Sequence, residues 1–110
     1  MRSLPRLDAD LLRLGPASLV FDGRARSLEF GGARVPLTQL EFELLRCLGE
    51  VNGRLLTRAQ ILDRVWNDRS GIRTRTVDVH VAALRKKLAD VRAPLAIASV
   101  RGVGYRLDRS

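Results

Sequence analysis

At 110 residues and 12.3 kDa, with 45% apolar and 29% charged residues, the chain has room for one packed domain and is not of wholly disordered composition. No apolar run approaches the roughly 20 residues of a membrane span; one cysteine and one histidine exclude an internal disulfide and a zinc cluster within the chain, so no cofactor is expected and the cytoplasm is the expected compartment. The net charge of +8 is uneven, with ten Arg/Lys against nine Asp/Glu over residues 1–68 but nine against only Asp78 and Asp90 over residues 69–106, a balance that attracts polyanions and releases their counterions.

Residues 1–16, up to Gly15-Pro16, mix charge, proline and a short apolar cluster, and are read as a linker-like segment or a marginal helical turn. Residues 17–110 are read as the domain. Three short runs of β-type alternation follow, at 18–21, 26–30 and 33–37, separated by the turn dipeptides Asp22-Gly23 and Gly31-Gly32. They predict a small antiparallel sheet. Thr38-Gln39-Leu40-Glu41 is a capping box, with Leu37 and Phe42 placed as a hydrophobic staple. The helix it opens should turn Leu40, Leu44, Cys47, Leu48 and Val51 inward and stop near Asn52-Gly53. The same grammar recurs at Thr57-Arg58-Ala59-Gln60, with Leu56 and Ile61 as the staple, and predicts a short helix running to about Trp66.

After the break at 67–71, a third helix is expected from about 74–76 to 91. At about 100° per residue, Val77, Val81, Leu84, Leu88 and Val91 fall within about 40° of one line, a core stripe. Arg75, Val79, Ala82 and Lys86 then form the opposite stripe, flanked by Arg85 and Lys87. Beyond Pro94, residues 96–100 and 105–107 read as two strands joined by Arg101-Gly102-Val103-Gly104, a hairpin with an arginine and two turn glycines at its tip. Two helices joined by a short turn, the second basic on its outer side, followed by a basic hairpin, suit a DNA duplex. A helix fits the major groove and an arginine-tipped hairpin the minor groove.

Three segments carry a resemblance: 37–45, LTQLEFELL; 75–81, RTVDVHV, running into Leu84-Arg85-Lys86-Lys87-Leu88; and 100–107, VRGVGYRL. Together they resemble the signature segments of the OmpR/PhoB family of response-regulator effector domains, in the family's order and spacing from about residue 19 to residue 107. The resemblance implies an α+β fold, a winged helix-turn-helix with a small N-terminal antiparallel sheet, three helices and a C-terminal hairpin wing. It implies sequence-specific binding of double-stranded DNA in transcription regulation, on direct repeats as a tandem head-to-tail dimer. It also implies contact with RNA polymerase through the loop before the third helix, here Asn67, Asp68, Arg69, Ser70, Gly71, Ile72 and Arg73. In that family a phosphorylated receiver domain normally precedes this one; it is not among these residues. Where several members carry arginines in the exposed middle of the recognition helix, this chain has Ala82 and Ala83, so base reading would rest on Arg75, on Val79 or Ala82 against a thymine methyl, and on the wing.

The expected DNA-facing set is Arg75, Thr76, Val79, His80, Ala82, Ala83, Arg85, Lys86, Lys87, Ser99, Arg101 and Gly102. Arg75 and Arg101 are the candidates for base and groove reading; Arg85, Lys86 and Lys87 are candidates for phosphates, with a plain solvated face as the alternative for each. Ser99 is a phosphate donor only through the resemblance and is otherwise a structural strand serine. His80, at the edge of the core stripe, is read as packing or as a phosphate contact, Trp66 as core, and Cys47 as a small hydrophobe. Glu41 and Glu43 are explained by helix ends and solvation, and no grouping of nucleophile, base or paired carboxylates suggests an enzyme. Two other readings stay open: a protein-interaction module on the same scaffold with weak or lost DNA binding, and a non-specific chromatin or RNA binder that would match the charge but not the three ordered segments.

Overall fold

Tight turns between short alternating runs leave the chain little choice but to fold back on itself. In the computed structural model, which describes residues 11–12, 20–51 and 53–109, they produce an antiparallel meander of β1 (Leu11–Leu12), β2 (Val20–Asp22), β3 (Ser27–Phe30) and β4 (Ala33–Pro36), in that order across the sheet. The registers Phe21↔Leu28 and Leu28↔Val35 put three apolar side chains on one face. Phe21 and Leu28 are fully buried, and the Phe21 ring stacks on Phe42 of the first helix at 4.6 Å. Pro36 falls at the end of an edge strand, where its missing N–H removes no interior ladder bond. The segment 1–16, expected to be linker-like, supplies β1, whose Leu11 and Leu12 pair with Asp22 and Phe21. The rest of it lies outside the described residues, as does Asn52.

Both capping boxes form as read. In α1 (Gln39–Glu50) the Glu41 N–H donates to Thr38 Oγ1 at 3.2 Å and the Thr38 N–H to Glu41 Oε1 at 2.9 Å. In α2 (Arg58–Trp66) Gln60 and Thr57 exchange the same pair at 3.0 and 2.8 Å. Leu37, Phe42, Leu56 and Ile61, the four staple residues, are all buried. The inward face of α1 is wider than the line drawn from sequence. Leu40 is only half-buried, while Glu41, Phe42 and Leu45 are buried, because α1 is wrapped by α2, by the third helix and by the last strand. Asn67 closes α2 in the left-handed conformation at φ 55°. The third helix, α3 (Thr74–Asp90), buries Val77, Val81, Leu84 and Leu88 as the stripe requires, with Val91 buried at its C-cap.

The C-terminal hairpin is larger than expected. Strands β6 (Leu95–Val100) and β7 (Gly104–Arg109) are joined by a turn in which Val103 N–H donates to the Val100 carbonyl at 2.9 Å and Gly102 adopts φ +75°. A third strand, β5 (Leu56–Thr57), pairs with β7, giving the order β5-β7-β6. Gly104, read from sequence as a turn glycine, is the first residue of β7. A Cβ there would stand 1.9 Å from the Leu56 carbonyl oxygen, so glycine is required by the passage of β5 and not by the turn.

Candidate nucleic-acid interface

Burying one stripe of α3 fixes what the rest of the helix presents. Opposite the buried stripe, Arg75, Val79, Ala82 and Lys86 are exposed in a row, with Val79 at 61% exposure. Arg75, Lys86 and the turn residue Arg101 are all exposed, and each is without an ion pair or side-chain hydrogen bond among the described residues. Arg73 caps α3 without any side-chain bond to its first N–H groups.

One flank of this row is built against the wing. Asp78 receives a bidentate pair from Arg58 of α2, Nε at 2.9 Å and Nη2 at 2.7 Å, and the Tyr105 hydroxyl of β7 donates to its Oδ1 at 2.6 Å. Burial, and then the bond to Asp78, hold the Tyr105 phenol above its ordinary pKa of 10.0. Two turns on, the Arg85 guanidinium donates from Nε and Nη2 to the Ile97 carbonyl at 3.0 and 2.6 Å and to Ser99 Oγ at 2.8 Å, and lies 5.6 Å from the centre of the Tyr105 ring. Through Asp78 and Arg85, α3 is thus held by charged groups to α2, β6 and β7.

The other flank faces the helices. His80 Nδ1 donates to the Thr76 carbonyl at 2.9 Å, and its ring meets Trp66 edge-on at 5.0 Å, which is the packing role; Trp66 is half-buried against the core rather than within it. Lys87 bonds Glu41 of α1 at 2.5 Å. Burial alone would raise the pKa of Glu41, but the Lys87 ammonium together with the Thr38 N–H and hydroxyl hold it below the ordinary 4.5. Glu41 is therefore a buried ion-pair partner as well as a cap, and not a solvated acid.

The structure accordingly divides the expected set. Arg75, Val79, Ala82 and Lys86 share one exposed face, and Ser99, Arg101 and Gly102 are exposed on the wing beside it, while Thr76 and Ala83 are half-buried at the margin. Arg85 and Lys87, expected on phosphates, also bond within the fold, Arg85 through Nε and Nη2 to Ile97 and Ser99 of the wing and Lys87 to Glu41 of α1. Helical spacing gives their direction but cannot show which neighbour waits there. Arg58, Asp78 and Tyr105 were not singled out from sequence. A signal was present: Asp78 is one of two acids in the basic block 69–106, and an acid kept in such a block invites a search for its cation.

The loop from α2 to α3 is a run of local bonds. Asp68 accepts from the Ser70 N–H at 2.9 Å, Ser70 Oγ accepts from the Ile72 N–H at 3.2 Å, and Arg69 lies 3.6 Å from Asp63. Gly71 has φ +71°, and Ile72 is 81% exposed. Cys47, buried on α1, has its thiol pKa raised by that burial. Among the described residues no helix is long and apolar enough to cross a membrane, and no group of three or more His, Cys, Asp or Glu is placed to hold a metal.

The family model described as "Transcriptional regulatory protein, C terminal" matches residues 32–107. The chain belongs to this family. Its segments were those that resembled the OmpR/PhoB type, and the winged-helix α+β fold is that of solved members. As a transcriptional-regulator domain the chain is 43% identical over 104 residues to the transcriptional regulatory protein TrcR of Mycobacterium tuberculosis, covering 94% of this chain and 39% of that protein. The chain spans about two-fifths of the length of the curated relatives it matches. The DNA-binding domain of the response regulator AdeR, solved in complex with an intercistronic region, superposes with a TM-score of 0.72 at 30% identity over 89% of this chain and all (100%) of that one. The Klebsiella pneumoniae RstA DNA-binding domain, solved with the RstA box, gives 0.69 at 32% identity over 84% and 93%.

Proposed function

We propose that this regulator domain binds double-stranded DNA sequence-specifically, laying α3 in the major groove and the β6–β7 turn against the neighbouring minor groove. The observation that carries this is the row Arg75, Val79, Ala82 and Lys86, exposed beside a wing braced to the same helix through Asp78 and Arg85. A free cationic face is useful to a duplex only if its parts keep a fixed spacing, and the brace supplies it. Two similar domains solved with DNA support the reading. In it, Arg75 reads a base edge, Lys86 contacts phosphate and Arg101 enters the minor groove. The Ser99 hydroxyl, already accepting from Arg85, keeps its one proton to donate to phosphate.

Direct repeats, a tandem dimer, a contact of the 67–73 loop with RNA polymerase, and a cytoplasmic setting as the effector half of a response regulator complete the proposal. Ile72 supports the polymerase contact, being an apolar side chain 81% exposed on a loop whose backbone is tied by local bonds. A binding selection against random duplexes tests the whole. Enrichment of a repeated motif is expected; salt-sensitive binding without enrichment would instead favour a non-specific binder, and no binding a protein-interaction module.

A further inference from the structure

The ring of His80 is held from two elements, yet only one of its two nitrogens is used. Its Nδ1 lies 2.9 Å from the Thr76 carbonyl oxygen, one turn earlier, and Trp66, the last residue of α2, meets the ring edge-on at 5.0 Å. A carbonyl oxygen only accepts, so Nδ1 carries a proton whatever the charge of the ring. The other nitrogen, Nε2, has no hydrogen bond or ion pair among the described residues. In the neutral ring it is a lone pair, and only the imidazolium has a second N–H to give.

His80 stands about 100° round the helix from Val79, half-buried at the same margin as Thr76 and Ala83. A helix seated in the major groove has a phosphate strand along each side, and phosphate oxygens accept without donating. Toward that strand the neutral ring would turn a lone pair, whereas the imidazolium would donate and add a charge. The charged groups on this flank supply no counter-ion within the protein. On α3, Lys87 is paired with Glu41 of α1; on α2, Asp63 lies 3.6 Å from Arg69 of the loop; Arg73, at the start of α3, is itself a cation. None of them bonds to His80 among the described residues.

Resting on the DNA reading above, we infer that the duplex binds the imidazolium form of His80, so that binding takes up a proton and affinity rises as pH falls. The bond to Thr76 fixes the tautomer and thereby makes the proton necessary. A group that holds its proton more firmly in the complex than in the free protein adds affinity that is fully present at low pH and lost as pH rises. No other side chain ordinarily titrates in that interval, because the chain has one histidine and its one cysteine is buried with a raised thiol pKa. Occupancy of the DNA site is then sensitive to acidification.

The test measures affinity for the selected duplex at fixed ionic strength from about pH 8 to about pH 5.5. It compares the wild type with His80→Gln, whose amide can donate at every pH with no proton to gain. Wild-type affinity should rise roughly three- to tenfold across the range, and that of His80→Gln should stay level. Calorimetry at about pH 7 in two buffers of different ionisation heat should show the wild type taking up a fraction of a proton and the variant none. A merely structural role would leave that uptake at zero. A wild-type affinity unchanged by pH overturns the inference and leaves DNA binding intact, and so does a His80→Gln protein that keeps the wild-type slope. Failure to enrich any duplex removes the DNA reading and this inference with it. Should the variant fold poorly, an NMR titration of the one histidine in the wild type, with and without duplex, decides the matter. Its midpoint should move up on binding, and an unmoved midpoint refutes the inference.

Discussion

Side chains of the same charge on one helix do different work here, and substitution should separate them. Arg75→Ala is expected to relax preference at one base position at a cost of about 1–3 kcal/mol, whereas Lys86→Ala should weaken all sequences alike and flatten the slope of log affinity against log salt by about one unit. Titration of binding across mutated sites and salt concentrations checks both. Glu41→Gln tests the buried pair, because glutamine keeps the cap, as Gln60 does in α2, and removes only the charge. A carboxylate held below its ordinary 4.5 contributes stability above that value and loses it as pH falls through the lower folded value. The variant should therefore be less stable than the wild type by about 1–3 kcal/mol near neutrality. The gap should close as pH falls below the ordinary 4.5 and through the lower folded value, as read by denaturant midpoints across pH. That Glu41 and Glu43 belonged to a helix start was legible in the capping box; that only the first meets Lys87 was not, because the two are far apart in sequence.

Elements meet at two places that the sequence pattern hides. Gly104→Ala would drive a methyl into the Leu56 carbonyl and force β5 from β7, at a cost of about 1–3 kcal/mol in the denaturant midpoint. Tyr105→Phe removes one donor from Asp78 and leaves its bidentate bond to Arg58. The fold should survive with a loss of about 0.5–1.5 kcal/mol. The wing should be less firmly placed, so that Arg101→Ala costs less DNA affinity in that background than in the wild type, a coupling measured by a double-mutant cycle. Local grammar placed the chain's regular elements, the caps and staples α1 and α2, the apolar period α3, and the turn residues the hairpin. It could not show β5, whose two residues carry no periodicity of their own and were read only as a staple and a cap.

At the scale of the molecule, two faces carry the proposed contacts. In the proposed function the row on α3 with the wing faces DNA, and the 67–73 loop presents Ile72 to solvent. Ile72→Ser should leave duplex affinity within error, since no DNA contact is assigned to it, and should lower promoter-dependent transcription in a reconstituted assay. A fall in DNA binding instead would move this loop into the DNA interface.

Periodicity, capping and charge are properties of the chain, and they determined the helices, the core stripe of α3 and the outward direction of Arg75 and Lys86, while the three signature segments carried the family. What depended on folding was which cations find an acceptor inside the protein. Arg85 and Lys87 look as free as Lys86 in the sequence, but burial against β6, β7 and α1 set acceptors beside them, from Ile97, Ser99 and Glu41. A helical wheel gives the direction of a side chain. Only the packed neighbours decide whether its hydrogen-bonding capacity is spent inside the protein or left for a ligand.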